Sequence, residues 1–137
     1  MHSIQILLPV FALAALTFVV LLQIPIARFR AAARGKVTAH DFRLGESARV
    51  PAEVQLPNRN YMNLLELPVL FYVACLAMYV TDHGDAAACA IAWLYVGLRC
   101  LHSLIHLTYN RVVHRLLAFA ISNVVLGALW LRFYLAL

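Results

Sequence analysis

The sequence predicts an all-α integral membrane protein folded as a four-helix bundle. Hydrophobic residues make up 64% of the 137 residues and charged residues only 12%, a balance that soluble globular domains do not have. Four apolar windows are each long enough to cross a bilayer, which takes about 20 residues in a helix. The short segments of alternating hydrophobicity that are typical of membrane β-barrels do not occur.

The four spans are predicted at residues 4–27, 62–80, 86–107 and 116–137. The first is too long for a signal peptide and lacks a basic residue before it, so we interpret it as a retained anchor. Two tight turns and one loop, at about residues 28–59, join the spans, and residues 1–137 are therefore expected to form one domain. Gly35, Gly45, Pro51 and Pro57 predict that any helix in this loop is short.

The charges predict the orientation of the bundle. The loop after the first span is rich in arginine, whereas the turn at 81–85 carries Asp82 and Asp85 and no Lys or Arg. By the positive-inside rule the basic loop is cytoplasmic and both termini lie on the opposite side. The loop arginines are expected to set this topology and meet anionic headgroups, or the loop covers a site that faces the cytoplasm.

Polar residues inside the spans form two stripes. One stripe follows i, i+4, i+7 spacing on the second span and the other follows i, i+3, i+7 spacing on the third, so each occupies one helix face. At 1.5 Å per residue the stripes lie within roughly 15 Å of the cytoplasmic surface. The residues are Arg59, Asn63 and Glu66 on the second span, and Arg99, His102 and His106 on the third.

Two interpretations of these stripes remain open. In one, Glu66 and Arg99 form an internal ion pair that holds the two spans in register. In the other, the stripes line a polar cavity for an anionic small molecule, with arginines as carboxylate clamps. We expect no metal, because Arg99 would oppose a cation held by His102 and His106.

Two segments, RNYMNLLELPVLF at 59–71 and RCLHSLIH at 99–106, resemble the membrane-associated proteins in eicosanoid and glutathione metabolism, the MAPEG family. This family includes microsomal glutathione transferases and the leukotriene C and prostaglandin E synthases. The resemblance lies in Arg59, Asn63, Glu66 and Pro68, and in an Arg-x-x-His motif on the third helix. It covers the whole chain in topology and implies a homotrimer with sites between subunits, in a bacterial-type member of the inner membrane.

The resemblance also implies roles for single residues. Asn63 and Glu66 would hold the backbone and amino group of glutathione as co-substrate, and Arg59 and Arg99 would bind its carboxylates or stabilise the second helix. His102 would be a hydrogen-bond partner, and His106 stands where several family enzymes have tyrosine. Arg115 would be the catalytic residue, because a nearby cation favours the thiolate nucleophile.

These features lead to two hypotheses of different classes. The first is a protein that binds glutathione or a related anionic thiol in the cytoplasmic leaflet and transfers it to lipophilic electrophiles. The second is a non-catalytic lipid-binding or scaffold protein of the same fold, which Leu116 favours because no hydroxyl follows Arg115 to assist a thiol. The expected partners are further copies of the chain, membrane lipids and small lipophilic molecules, and no nucleic acid.

Overall fold

The computed structural model describes residues 2–137, and the regular structure in this part of the chain is helical. A short helix, α1 (His2–Gln5), precedes α2 (Leu7–Ala33), and a 3₁₀ helix (Ala39–Phe42) lies in the following loop. The remaining helices are α3 (Ala52–Leu65), α4 (Pro68–Val80), α5 (Ala86–Leu107) and α6 (Val112–Ala136). Four stretches are long and apolar enough to cross a membrane: Leu7–Ala33, Ala52–Val80, Ala86–Leu107 and Val112–Ala136. The predicted all-α architecture with four spans is confirmed.

The helices on either side of the long loop extend beyond the predicted spans. Because α2 continues to Ala33 and α3 begins at Ala52, the loop comprises residues 34–51 rather than 28–59. The first half of α3 is amphipathic, so a search for purely apolar windows does not find it. Its buried residues, Val54, Pro57 and Leu64 among them, recur at helical spacing on one face.

The second span is broken rather than continuous. It ends as α3 at Leu65 and resumes as α4 at Pro68, and Glu66 between them has φ −85° and ψ −107°. Proline has no N–H to donate to the carbonyl four residues earlier, and it is well tolerated as the first residue of a helix. Pro68 therefore begins a new helix, and residues 62–80 cross in two helical pieces rather than in the single continuous helix that their hydropathy predicts.

The core of the bundle is centred on α5. This helix packs most extensively against α6 and also contacts α2 and α3. The ring of Phe71 on α4 stacks on that of Tyr95 on α5, with the ring centroids 4.7 Å apart. Phe11, Phe18 and Leu22 lie exposed along α2, as expected of a surface that meets lipid acyl chains.

The loop of residues 34–51 is folded around the buried side chain of Asp41. Its carboxylate accepts hydrogen bonds from the Thr38 backbone N–H at 2.8 Å and the Ser47 hydroxyl at 2.9 Å. The Thr38 N–H first, and then the Ser47 hydroxyl, hold the pKa of Asp41 below its ordinary value. Val37 and Val50 pack with Ala31 of α2 and Val54 of α3 in a small apolar cluster. The loop thus has its own core, in spite of its polar sequence.

At the opposite end of the spans, Asp85 joins α5 to α6. Its side chain caps α5 by accepting a hydrogen bond from the Ala88 N–H at 2.8 Å. It also forms an ion pair with Arg132 of α6, and the pKa of Asp85 is lowered mainly by the hydrogen bond from Arg132. Because both partners are substantially exposed, this pair fixes geometry more than it adds stability.

Candidate functional site

A groove of about 220 Å³ opens where α3, α5 and the N-terminal part of α6 meet. One side is polar and contains three of the residues predicted from the sequence, Asn63, His102 and Arg115. The other side is apolar. The complete lining is Asn63, His102, Val112, Arg115, Leu116 and Phe119. Polar groups from three different helices therefore converge at one place.

The guanidinium of Arg99 lies behind this groove and is fully buried. Its Nη2 donates a hydrogen bond to the backbone carbonyl of Asn63 at 3.0 Å and another to the Asn63 side-chain Oδ1. The Asn63 carbonyl belongs to the last turn of α3, where helix carbonyls lack intrahelical partners and a cation is favoured by the helix dipole. Arg99 thus acts as a tertiary cap on the broken second span.

The structure does not contain the ion pair between Glu66 and Arg99 that one interpretation of the sequence requires. The ion pairs of residues 2–137 are Arg28 with Glu46, Lys36 with Glu53, and Arg132 with Asp85. Glu66 is exposed. The seven-residue spacing would place Glu66 on the same helix face as Arg59 only if the helix were continuous. However, α3 ends just before Glu66. Asn63 takes the place that the sequence suggested for the carboxylate.

Several buried polar atoms beside the groove have no hydrogen-bond partner within the described chain. They include Nε and Nη1 of Arg99, Nδ1 of His102 and both ring nitrogens of His106. The two histidine rings are close, with centroids 5.8 Å apart. Buried polar groups in folded proteins nearly always have a partner, whether protein, water or ligand. This cluster therefore has the capacity to receive a polar molecule.

The candidate catalytic residue Arg115 is held at the mouth of the groove. Its Nη1 donates to the side-chain oxygen of Asn110 at 2.8 Å, and Asn110 occupies the turn between α5 and α6 with φ 48°. This bond uses one side of the guanidinium and fixes its position. Arg59 is placed differently, because it is exposed, donates to Gln55 at 3.0 Å and does not line the groove.

The structure thus brings five of the seven predicted residues together and leaves Arg59 and Glu66 at the surface. The five are Asn63, Arg99, His102, His106 and Arg115. Within residues 2–137, no group of three or more His, Cys, Asp or Glu side chains is placed to hold a metal ion.

Sequence reasoning did not identify two contributors to the site, Phe119 and Asn60. Phe119 closes the groove, and the Arg99 guanidinium lies over its ring at 5.8 Å. Asn60, buried one turn before Asn63, accepts a hydrogen bond from the Ser103 hydroxyl at 3.2 Å. Asn60 could have been found, because it lies on the same helix face as Asn63. Phe119 carried no such signal, since it is one of many apolar residues in its span.

Comparison with known proteins identifies a family. A model of the MAPEG family matches residues 6–135, which is nearly the whole chain. Neither the curated proteins nor the solved structures include a match.

Proposed function

The chain belongs to the MAPEG family, and from this premise we propose that its groove binds glutathione or a related anionic thiol in the cytoplasmic leaflet. We further propose that the protein transfers the thiol to lipophilic electrophiles. The observation that carries the proposal is the convergence of Asn63, His102 and Arg115 on one groove whose other wall is apolar. The polar wall suits the thiol, and the apolar wall suits an acceptor that arrives from the bilayer.

The residues present fit glutathione in their chemistry. This tripeptide carries two carboxylates and two amide carbonyls, all of which accept hydrogen bonds. The free side of Arg115 supplies donors with positive charge, and the buried guanidinium of Arg99 adds positive charge behind the groove. Glu66, exposed beside Asn63, supplies a carboxylate for the ammonium group of the ligand.

One chain supplies only part of such a site. The groove of about 220 Å³ is smaller than the roughly 300 Å³ at which ligand pockets usually begin. Moreover, Glu66 is an exposed charge within a stretch that can span a membrane, and such charges normally face a protein interior or water. We therefore propose that further copies of the chain, in a homotrimer, complete the site and cover Glu66.

Arg115 is proposed to stabilise the thiolate. In the transfer, the thiolate sulfur forms a bond to the electrophilic carbon, the leaving group departs with its electron pair, and the thiol proton goes to solvent. A fixed guanidinium near the sulfur lowers the thiol pKa and raises the fraction of nucleophile at neutral pH. Val112 and Leu116, both well exposed beside the groove, give the lipophilic partner an apolar path from the membrane.

The test compares Arg115→Gln with wild type, using 1-chloro-2,4-dinitrobenzene as the electrophile and calorimetry for glutathione affinity. If Arg115 lowers the thiol pKa by one to two units, kcat/KM at pH 7 falls about 10- to 100-fold in the variant. The loss should shrink as pH rises, because the thiol then ionises without help. Arg111→Gln is the matched control, since Arg111 is exposed at the start of the same helix and does not line the groove.

The result also separates the enzyme from its alternative. Equal rates in Arg115→Gln and wild type would refute the role of Arg115. Saturable glutathione binding with no turnover of any electrophile would favour the non-catalytic lipid-binding or scaffold protein. The aliphatic side chain of Leu116 next to Arg115 supports that second candidate, because it provides no hydroxyl for the thiol.

We also propose the orientation that the charges predict, in an inner membrane of bacterial type. The loop of residues 34–51 and the groove then face the cytoplasm, and both termini and the Asp85–Arg132 pair face outward. Cysteine labelling with a reagent that does not cross membranes tests this. A single cysteine introduced at Ala48, which is exposed in the loop, should react only after the cells are opened.

A further inference from the structure

A second groove, of about 450 Å³, lies between the C-terminal part of α2 and the loop that follows it. Its α2 side contains apolar residues together with one cation, Arg28. Its loop side contains Val37, Thr38, Ala39 and Phe42. The α2 lining consists of Ile24, Pro25, Arg28, Phe29 and Ala32. None of these residues lines the first groove, where α3, α5 and α6 meet.

The position of this groove along α2 places it at the boundary between acyl chains and headgroups. Counted from Leu7, the first residue of α2, a hydrocarbon core of about 30 Å takes up about 20 residues and ends near Ala27. Ile24 and Pro25 therefore lie at acyl depth, whereas Arg28 lies at headgroup depth. Phe29 is 74% exposed, so the apolar side of the groove opens toward the bilayer.

The cation of the groove, Arg28, has donors that its one side-chain hydrogen bond leaves unused. The Arg28 guanidinium stacks on the Phe42 ring with 4.5 Å to the centroid, and its Nη2 donates to Glu46 at 3.3 Å. Its Nε is buried and has no partner in the part of the chain that the structure describes. At headgroup depth, the phosphate oxygen of a lipid is an acceptor for such a donor.

The surroundings favour a negatively charged occupant. The loop of residues 34–51 carries four basic residues, Arg34, Lys36, Arg43 and Arg49, against two acidic ones, Asp41 and Glu46. The four basic residues are exposed, whereas Asp41 is buried in the loop core. The field at the membrane surface is therefore positive, and it attracts anionic lipids.

We propose that this groove is a binding site for one anionic phospholipid per chain. An acyl chain lies along Ile24 and Pro25, Phe29 flanks the headgroup, and the phosphate accepts from the Arg28 guanidinium. Glu46 competes with the phosphate for the same guanidinium and limits the affinity. This differs from general contact with lipids, because it requires one cation of the many on this face.

The experiment is native mass spectrometry of the detergent-purified protein titrated with palmitoyl-oleoyl phosphatidylglycerol or with the corresponding phosphatidylcholine. Raised salt is used, since salt screens attraction at exposed charges more than at partly buried ones. We expect phosphatidylglycerol to saturate at one molecule per chain and phosphatidylcholine to bind much more weakly. Arg28→Gln should lower phosphatidylglycerol affinity about 5-fold, the contribution typical of one basic residue at an anionic surface.

Two further variants keep the test decisive. Arg30→Gln removes the same charge from the same helix but from outside the groove, so it should leave the affinity at its wild-type value. Glu46→Gln breaks the ion pair while keeping Arg28, and it should preserve or raise the affinity, because the competing carboxylate is gone. If Glu46→Gln instead loses the lipid as Arg28→Gln does, the ion pair only maintains the loop and the proposal fails.

Three other outcomes also overturn it. Equal retention of the two lipids would show that the protein does not recognise the headgroup charge. Equal losses in Arg28→Gln and Arg30→Gln would indicate diffuse attraction rather than a site. A changed oligomeric mass in Arg28→Gln, without lipid bound in wild type, would show that a second copy of the chain covers the groove.

Discussion

In this structure Arg99 donates a hydrogen bond to the side chain of Asn63, instead of forming the ion pair that the sequence suggests. A double-mutant cycle with Asn63→Ala and Arg99→Met measures it, because the cycle isolates the interaction from the separate costs of each substitution. This matters for Arg99, since removing a buried charge also removes its desolvation penalty. The loss of stability in the single variant Arg99→Met is therefore not a measure of the bond.

The expected coupling free energy follows from the burial and charge of Arg99. Hydrogen bonds to charged groups contribute about 1.5 to 3 kcal/mol in soluble proteins. Side-chain hydrogen bonds between membrane helices average about 0.6 kcal/mol and reach about 1.7 kcal/mol. Arg99 is fully buried and charged, which places this bond near the upper end of the membrane range. We expect a coupling free energy of about 1 to 2 kcal/mol for Asn63 and Arg99.

The assay is unfolding in mixed micelles of increasing SDS content, followed by circular dichroism. A second cycle, Glu66→Gln with Arg99→Met, is the control, and its coupling should be below about 0.5 kcal/mol, the usual limit for independent sites. If the Glu66 cycle gave the larger coupling, the structural reasoning would be wrong, and the ion-pair interpretation of the sequence would be correct.

Two further predictions concern the loop and the helix break. Asp41→Asn should increase protease cleavage within the loop while the helical content stays constant, because an amide has only one acceptor oxygen and cannot accept from both the Thr38 N–H and the Ser47 hydroxyl. Since the pKa of Asp41 is lowered in the fold, its contribution in wild type is complete above the ordinary value of 3.8 and disappears as pH falls through the lower folded value. Cleavage by pepsin across this pH range measures it, and a flat profile would contradict the role of Asp41. Pro68→Ala restores a backbone N–H for the carbonyl of Leu64 and should straighten the second span, which raises the melting temperature and weakens glutathione binding several-fold. Unchanged binding, measured by calorimetry beside thermal unfolding, would show that the break does not position the site.

The two polar stripes were only partly predictable from the sequence. Helical spacing correctly places Arg99, His102 and His106 on one face of α5, because that helix is regular over its whole length. The same rule fails at Glu66, where the helix has already ended. Pro68 is visible in the sequence, but proline in a membrane span is compatible with a kink, a break or neither.

The sequence by itself determined the number of spans and the placement of the polar residues near one end of the bundle. These follow from composition and helical periodicity, which are local properties of the chain. Only the tertiary structure decided that Arg99 binds Asn63 rather than Glu66 and that Phe119 closes the groove. The physical reason is that a buried guanidinium takes the acceptors which packing brings within reach, and that choice depends on where α3 ends and how α5 and α6 pack against it.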